Sequence, residues 1–531
     1  MGISRSSILV SFLFSFLAGF LVSIGTSSSI HKDFFYCLSH HSKTNAIPIY
    51  TPKSSNYTSI LQSNIANFRF NSSSTRKPDL IITPLQESHV QAAVICSRKY
   101  GLQIKVRSGG HDFEGLSYIS DVPFIIVDMF NLRSIKVGVR HKQAWVQSGA
   151  TLGEVYYRIA EKSQTLAFPA GPAATVGVGG HLSGGGYGYM LRKYGMAADN
   201  VINARIVDAN GRLLNKKTMG KDLFWAIRGG GGGNFGIVIA WKIRLVSVPR
   251  NVTVFSVNRS LAQGATNIVH RWQEVAHQLP PELVILVILT AVNSAPKGEK
   301  TIVGTFSSLF LGDAKKLQKL MKQRFPELGL GSKDCTEMSW IQSVLFLDGM
   351  FLNGTASSVD ILLKRTKPKL LFKVKSDYVK KPIPQIGLEG LWERLLKEDQ
   401  TISVLVPYGG RMSEISESKI PYAHRGGNIF KIVYMGYWIR EEEPSEKYID
   451  RVRRLYEYMT PYVSKSPREA YINYRDLDLG QNKNGTTTYL EAKVWGEKYY
   501  KGNFNRLLNV KTKVDPNNFF RHEQSVPSIA Y

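Results

Sequence analysis

Short apolar runs alternate with amphipathic segments through the first half of the chain. Helical spacing of apolar residues predicts helices over 87–100, where Val90, Ala93 and Val94 share a face, and over 150–160. Thr151 is a plausible N-cap of the second helix, with Glu154 completing a capping box. Asn210-Gly211 is typical of a hairpin turn. Short strands are predicted at 77–84, 104–107, 124–128, 144–147 and 201–208.

The pattern changes twice further along the chain. Up to about residue 249, the mixture of short predicted strands and helices indicates an α+β domain. From about residue 251 there is less glycine, and longer amphipathic segments at 314–324 and 446–460 indicate a second α+β domain. The character changes again after residue 471. We therefore expect segments 29–250, 251–470 and 471–531.

The N-terminus has the pattern of a secretory signal peptide. Arg5 precedes an apolar run over 8–25 and a small polar stretch over 26–29, so residues 1–28 are predicted to be removed. A membrane anchor is the alternative, but the run is slightly shorter than the ~20 residues that a span needs. We expect an extracellular, cell-wall or vacuolar protein that is free of the membrane. Six glycosylation sequons support secretion: Asn56, Asn71, Asn251, Asn258, Asn353 and Asn484.

The three cysteines and the net charge narrow the class of protein. In an oxidising compartment two of the cysteines can pair, and Cys37 and Cys96 share the N-terminal region. We predict that they form a disulfide and that Cys335 is a buried free thiol. The net charge of +27 suggests nucleic acid, but the basic residues are dispersed and no nucleic-acid motif occurs. We expect a solvated basic surface, no nucleic-acid partner and no metal.

Two glycine-rich stretches carry the strongest chemical signal. One covers 107–118 and contains His111, and the other covers 175–188 and contains His181. Glycine is costly to order, so such runs persist where the backbone must approach something closely. Successive backbone amides can also form anion-binding concavities. A long, flat, phosphorylated cofactor such as FAD fits both requirements.

Together these stretches resemble the plant berberine-bridge-enzyme-like flavoproteins of the vanillyl-alcohol-oxidase superfamily. Matching motifs lie at 107–118, 175–188, 222–238 and 473–520, and the segment 377–384 is similar to cannabinoid-synthase-type members. The resemblance implies a two-domain α+β fold. Residues 29–250 and the returning segment 471–531 would hold FAD, while residues 251–470 would cover the flavin and form the substrate pocket.

The resemblance also assigns individual residues. His111 would bond covalently to the flavin 8α-methyl group. Ala173 stands where relatives carry a cysteine that forms a second link, so a single covalent link is expected. Val176 lies close to the position that gates oxygen. The implied FAD-binding residues are Arg107, Ser108, Gly109, Gly110, His111, Asp112, Ser117, Thr175, Val176, Gly177, Gly180, His181, Ser183, Gly184, Gly236, Ile237, Val238 and Asn473.

Two residues are candidates for the chemistry itself. Tyr474 matches the active-site tyrosine of the family, and it acts as a base only if its phenolate is stabilised. Lys431 falls where related oxidases often carry glutamate, and we hypothesise that it faces the pocket and favours a phenolate of Tyr474 or of the substrate. The alternatives are a packed interface tyrosine and a surface lysine on a strand.

The function that follows is FAD-dependent oxidation of a plant secondary metabolite. The substrate would be a phenolic, a prenylated aromatic compound or an alkaloid. Hydride would pass to flavin N5 and oxygen would be reduced to hydrogen peroxide, with or without ring closure. One alternative is a non-redox cyclase that joins diene and dienophile, in which a cation polarises a carbonyl. Another is a carbohydrate or monolignol oxidase. We expect a monomer.

Overall fold

The structure is a computed structural model that describes residues 32–42, 47–293, 298–352, 358–398, 400–440, 443–483 and 487–529. The predicted signal peptide and the sequons at Asn353 and Asn484 lie outside the described residues. Of the other sequons, Asn56, Asn251 and Asn258 are exposed and Asn71 is half-buried. No helix within the described ranges is long and apolar enough to cross a membrane.

The described residues contain helices and strands in close alternation. The strands are β1 (Ile49–Tyr50), β2 (Leu80–Ile82), β3 (Gln103–Arg107), β4 (Phe124–Asp128), β5 (Ile135–Gly138), β6 (Gln143–Gln147), β7 (Leu166–Ala167), β8 (Val201–Val207), β9 (Leu213–Asn215), β10 (Ile237–Arg244), β11 (Val246–Ser247), β12 (Asn251–Ser260), β13 (Leu283–Asn293), β14 (Lys300–Phe310), β15 (Cys335–Ser339), β16 (Leu371–Val379), β17 (Thr401–Pro407) and β18 (Phe430–Trp438). The α-helices are α1 (32–42), α2 (Tyr57–Ser63), α3 (Glu87–Lys99), α4 (Leu152–Ala160), α5 (Val178–Ser183), α6 (Leu191–Tyr194), α7 (Lys216–Ala226), α8 (Ala265–Val275), α9 (Ala314–Arg324), α10 (Trp340–Leu352), α11 (Gln385–Lys397), α12 (Arg411–Glu414), α13 (Ser445–Tyr458), α14 (Tyr489–Tyr500) and α15 (Asn503–Val514).

A four-stranded sheet in the order β1-β2-β4-β3 begins the fold. Strands β2, β4 and β3 are parallel, and β4 is buried along its whole length, as expected for a parallel strand that is covered on both faces. Helix α3 packs on this sheet through the buried side chains of Val90, Ala93 and Val94, so the predicted helix is confirmed. The disulfide between Cys37 and Cys96, which joins α1 to α3, is also confirmed.

A five-stranded antiparallel sheet in the order β5-β6-β10-β8-β9 follows. The predicted turn between β8 and β9 is confirmed, with Gly211 at a positive φ of 76° and the Asp208 carboxylate accepting from the amides of Asn210 and Arg212. The capping box of α4 is confirmed as well, since Thr151 and Glu154 each bond the other's backbone amide. Local side-chain chemistry therefore sets these boundaries.

The third sheet has seven antiparallel strands in the order β15-β12-β14-β13-β17-β18-β16. Because side chains alternate along a strand, its two faces differ. Ile285, Leu405 and Ile432 point to one face, where α8, α11 and α13 cover them. Val433 and its neighbours point to the opposite face, toward the glycine-rich stretches. The sheet thus has a covered side and a side free to line a cavity.

The last helices of the chain pack against its first half. Trp495 of α14 and Leu507 of α15 share a hydrophobic cluster with Phe224 and Trp225 of α7. All strands of the seven-stranded sheet come from residues 251–438. The divisions near residues 250 and 470 stay predictions. Cys335 differs from expectation: it is half-buried at the start of β15, because that strand lies at the sheet edge.

Candidate functional site

A cavity of about 480 Å³ lies between the glycine-rich stretches and the free face of the seven-stranded sheet. Both stretches contribute, together with a glycine turn before β10 and two segments near the C-terminus. Its walls come from residues 104–117, 171–189, 232–238, 471–475 and 521–522 and from β13, β16, β17 and β18.

The two glycine-rich loops touch each other backbone to backbone. A Cβ atom on Gly109 would lie 2.3 Å from the nitrogen of Gly177, and one on Gly177 would lie 2.2 Å from the nitrogen of Gly109. Any side chain at either position would collide with backbone atoms that have no room to move. Much of the glycine in the two motifs is therefore required by the loops themselves rather than by a ligand.

Other glycines face open space. A Cβ atom on Gly180, in α5, would meet no atom within 4 Å, and one on Gly232 would meet only the Ser183 side chain at 3.8 Å. Both residues line the cavity. Here an absent side chain leaves room for a ligand to approach the backbone closely, and these are the positions at which the cofactor argument for glycine applies.

Four of the residues expected to bind FAD lie outside the cavity lining, and three have well-defined structural contacts instead. Arg107 is buried and forms an ion pair with Asp128 at 2.7 Å, while its remaining donors bond backbone carbonyls of α2. Gly184 packs against the amide of Asn473, and Ile237 belongs to the core beside β8. The fourth, Thr175, acts through a neighbouring histidine. Burial removes Arg107, Gly184 and Ile237 from direct contact with a ligand.

Four cavity-lining residues carry buried polar atoms that have no hydrogen-bond partner in the described protein. An unpaired buried donor costs about 1–3 kcal/mol, so such a cluster is typical of a binding site for a polar ligand. The cavity wall around them is basic, with Lys105 and Arg521 also contributing. The residues therefore fit the phosphate and hydroxyl groups of a dinucleotide. The unpartnered atoms are Ser117 Oγ, Ser148 Oγ, Arg475 Nη1 and His522 Nε2.

His111 is held in one orientation at the other end of the loop pair. Its Nε2 shares a hydrogen bond of 3.0 Å with Thr175 Oγ1. Burial, with a smaller contribution from Lys367, lowers the pKa of His111 to about 3, so the imidazole is neutral. Because Nε2 of this neutral imidazole is hydrogen-bonded to Thr175, Nδ1 is the ring nitrogen that remains for another contact. Asp112, next in the chain, accepts the amides of Glu114 and Leu116 and pairs with Arg475.

His181 has a structural role in the same loop. Its Nε2 accepts a hydrogen bond from the amide of Gly171, and burial lowers the pKa of His181 to about 4. The backbone oxygen of His181 accepts from Asn473, which also donates to the hydroxyl of Tyr471. These bonds tie the second glycine-rich loop to the C-terminal segment.

The wall opposite the glycine-rich loops is apolar. Alternate residues of four strands supply aliphatic side chains and a methionine, with no charged group among them. Such a surface excludes water and binds apolar ligand surface through the hydrophobic effect. The residues are Leu286, Val374, Ile402, Val404, Val406, Val433 and Met435.

Tyrosines and one lysine occupy the corner where the two walls meet. The hydroxyl groups of Tyr187 and Tyr474 are hydrogen-bonded to each other, and both residues line the cavity. Lys431 is fully buried behind them, and its Nζ lies 3.2 Å from the ring centroid of Tyr187, 4.4 Å from that of Tyr471 and 4.7 Å from that of Tyr474. Lys431 is therefore no surface lysine, but neither does it line the pocket.

Charge in this corner is strongly disfavoured unless it is paired. Burial raises the pKa of Tyr474 and of Tyr187, and burial lowers the pKa of Lys431 far below its usual value. The Nζ atom of Lys431 has no hydrogen-bond partner in the described structure and lies over the tyrosine ring faces. An ammonium and a phenolate together compensate each other's burial, whereas either alone is costly.

The structure adds residues that motif reasoning missed. Tyr187 lies within the second glycine-rich stretch, and only its contact with Tyr474 and Lys431 reveals its place in the site. Arg475, Arg521 and His522 come from the C-terminal segment and reach the cavity from several hundred residues away. Arg521 and His522 are adjacent in the sequence, but no local motif identifies them as part of a binding site.

Comparison with known proteins gives the class of protein. An FAD binding domain family matches residues 78–216, and a family described as berberine and berberine like matches residues 470–527. With the cavity described above, these matches define an FAD-linked oxidoreductase.

Full-length relatives then give the family. Tetrahydroberberine oxidase from Berberis wilsoniae is 53% identical over 97% of this chain and 98% of its own. The structure of BBE-like 28 from Arabidopsis thaliana superposes with a TM-score of 0.88 at 45% identity, covering 94% of this chain and all of that one. The chain belongs to the berberine bridge enzyme-like family.

A third comparison concerns grass pollen. Wild-type Phl p 4, a glucose dehydrogenase, superposes with a TM-score of 0.87 at 46% identity over 94% of this chain and all of its own. Its isoleucine-to-valine variant is described as a glucose oxidase. Members of similar structure thus differ in substrate and in their use of oxygen.

Gly180 offers a test of where the cofactor lies. Gly180→Leu should fold, because no atom lies within 4 Å of the new Cβ, but it should lose most of its flavin absorbance per protein because the side chain enters the cavity. Gly502→Leu is the matched control, since Gly502 is also unobstructed and has an ordinary φ of −62° at the start of α15. Full flavin content in Gly180→Leu would contradict this placement.

Proposed function

We propose that the protein oxidises a small, largely apolar aromatic substrate with FAD as hydride acceptor and oxygen as the final acceptor. The observation that carries this proposal is one cavity with two unlike walls. Glycine-rich loops and basic groups on one side suit FAD, and aliphatic side chains on the other suit an apolar ring system. The Tyr187–Tyr474 pair stands between them.

The apolar wall supports an aromatic substrate over a sugar. A sugar needs several hydrogen-bonding side chains, since each buried hydroxyl left unpaired weakens binding. The residues of the seven-stranded sheet that face the cavity supply none. A phenolic, prenylated aromatic or alkaloid substrate buries its rings there with favourable free energy. The name of the relative tetrahydroberberine oxidase agrees with this class, whereas Phl p 4 is a glucose dehydrogenase.

His111 is the residue we propose for covalent attachment. When bound, FAD would supply a hydride acceptor. Thr175 holds Nε2 of His111, and the lowered pKa keeps the imidazole unprotonated, so Nδ1 is the nitrogen available to form a bond with the 8α-methyl group. Ala173 lines the cavity but cannot form a thioether, and one link is therefore proposed.

The Tyr187–Tyr474 pair is proposed as the acceptor of the substrate proton. A phenol accepts a proton only as a phenolate, and the sole cation whose centre lies over these rings is Lys431 within the described structure. We infer that the reactive form pairs the Lys431 ammonium with a tyrosinate shared over the two hydroxyl groups. Neutral and ion-paired forms then interconvert by moving one proton inside the buried cluster.

Oxygen access and location complete the proposal. Val176 lines the cavity beside the first loop, and its small side chain is proposed to leave a path for oxygen. The isoleucine-to-valine change that accompanies glucose oxidase behaviour in Phl p 4 supports a role for side-chain volume.

The disulfide supports passage through an oxidising compartment, and we propose a secreted or vacuolar protein.

The position of Lys431 weakens the cyclase alternative. Lys431 could polarise a carbonyl only by reaching the substrate, but tyrosine rings lie between its amino group and the cavity. A lysine behind two hydroxyl groups can tune their acidity and cannot touch a dienophile. The oxidase is therefore the function that the geometry supports better.

Anaerobic mixing tests the reaction class. With an aromatic allylic alcohol or a tetrahydroisoquinoline alkaloid, the flavin absorbance should bleach without oxygen, and admitting air should restore it with peroxide release. The product should be two hydrogens lighter than the substrate. A product with the summed mass of two substrates and an unchanged flavin would establish the cyclase, and bleaching by glucose alone would establish a carbohydrate oxidase.

Lys431→Met should lower kcat/KM by about 10²-fold, because a base that loses its stabilising cation is seldom ionised. On this proposal, loss of the cation raises the pKa of the tyrosine pair, so the ascending limb of the pH profile should move to higher pH. Lys315→Met, on the exposed face of α9, is the control for charge. Unchanged turnover with an unchanged pH profile would refute the role of Lys431.

His111→Ala should release its flavin when the protein is denatured and precipitated, while wild-type protein should retain the flavin in the pellet. The matched control is His181→Ala, which removes another cavity-lining histidine and should keep the flavin attached. Release of flavin from wild-type protein would show that no covalent link exists.

A further inference from the structure

A second and larger cavity is lined by residues other than those of the flavin site. It is a groove of about 1460 Å³ formed by β8, β9, α7 and the segment 411–420, and it shares no lining residue with the flavin cavity. Its volume exceeds the usual range of small-ligand pockets, about 300–1,000 Å³. The proposed oxidation uses none of its residues.

The groove is strongly basic. Nine arginine and lysine residues line it, against only Asp199 and Glu414. Asp199 is already bound by Arg425, and Glu414 by Arg411. Six of the nine have no carboxylate ion pair within the described chain, and their charge is available to a ligand. They are Lys216, Lys217, Lys221, Arg228, Arg244 and Lys419.

Three of the cations lie over aromatic rings that line the groove. Lys216 and Arg228 lie over the same ring, with Nζ 4.9 Å and the guanidinium carbon 4.4 Å from the centroid of Phe224. Arg506 stacks over Trp225 at 4.1 Å. A single small anion would be held by two or three converging donors. A groove of this volume, lined by several cations without ion pairs, suits a ligand whose charges repeat along its length.

We propose that this groove binds a linear polyuronate, a polysaccharide that carries one carboxylate on each sugar ring. The disulfide between Cys37 and Cys96 indicates an oxidising compartment outside the cytosol, which separates the protein from nucleic acid. Carboxylates spaced one per ring can meet lysine and arginine side chains in turn, and the half-buried ring of Trp145 in the groove provides a surface for a sugar face. The groove thereby anchors the enzyme to an anionic polymer while the flavin cavity stays open.

The test is binding of a fluorescent, fully de-esterified oligogalacturonate to the flavin-loaded full-length protein at low salt. Lys217→Glu, Lys221→Glu and Lys419→Glu are combined, because these exposed lysines line the groove and make no ion pair within the described chain. The control combines Lys315→Glu, Lys319→Glu and Lys322→Glu on α9, which changes net charge equally on an exposed helix face elsewhere. Flavin absorbance and turnover verify that both variants are intact.

The groove variant should bind the oligogalacturonate at least about tenfold more weakly than wild type. The α9 control should change the affinity by less than about twofold, because salt screens charges far from the ligand more than charges in contact with it. The methyl-esterified oligomer should not bind. If both variants bound the oligomer equally weakly, net charge alone would explain the loss of affinity, and the proposal would be overturned. Absence of binding to wild type, or stronger binding of a single-stranded oligonucleotide of equal charge, would overturn it as well.

Discussion

The backbone contact between Gly109 and Gly177 is the constraint on which the site depends. With 2.3 Å between the position of a Cβ atom and the facing nitrogen, no other residue type fits at either position. The contact brings the loop of His111 against the loop of Thr175, and the hydrogen bond between these two side chains follows from it. The cavity then lies along the joined loops, with Gly180 left open toward it.

The seven-stranded sheet provides the second half of the site through simple alternation. On β18, Ile432 and Tyr434 point toward the covering helices, while Val433 and Met435 face the cavity. Lys431 belongs to the cavity-facing set by the same alternation, but Tyr187 lies over it. A residue that strand geometry would direct into the pocket is thereby placed behind it. This arrangement is the basis on which we propose that Lys431 acts on the tyrosine pair rather than on the substrate.

Charge is handled in opposite ways in the two cavities. In the flavin cavity, Arg475 and Lys105 pair with Asp112 and Glu523, and burial leaves specific donors such as Arg475 Nη1 unpartnered. Each such donor gains most from one fixed acceptor. The basic groove keeps its cations at the surface, where water screens them and no single contact dominates. The first arrangement suits a resident cofactor, and the second suits a flexible polymer that binds through many weak contacts.

The sequence alone determined the local features of this protein. Helix α3, the capping box of α4 and the turn at Gly211 were predicted, because neighbouring residues govern caps, turns and periodicity. The Cys37–Cys96 pair was predicted as well, because the chain has only three cysteines and these two share its N-terminal region. Ala173 could likewise be identified by motif. Tertiary structure decided the remainder: Tyr187 meets Tyr474 across a separation of 287 residues, and Arg107 turns away to Asp128. Such contacts depend on how sheets and loops pack, and no local pattern carries that information.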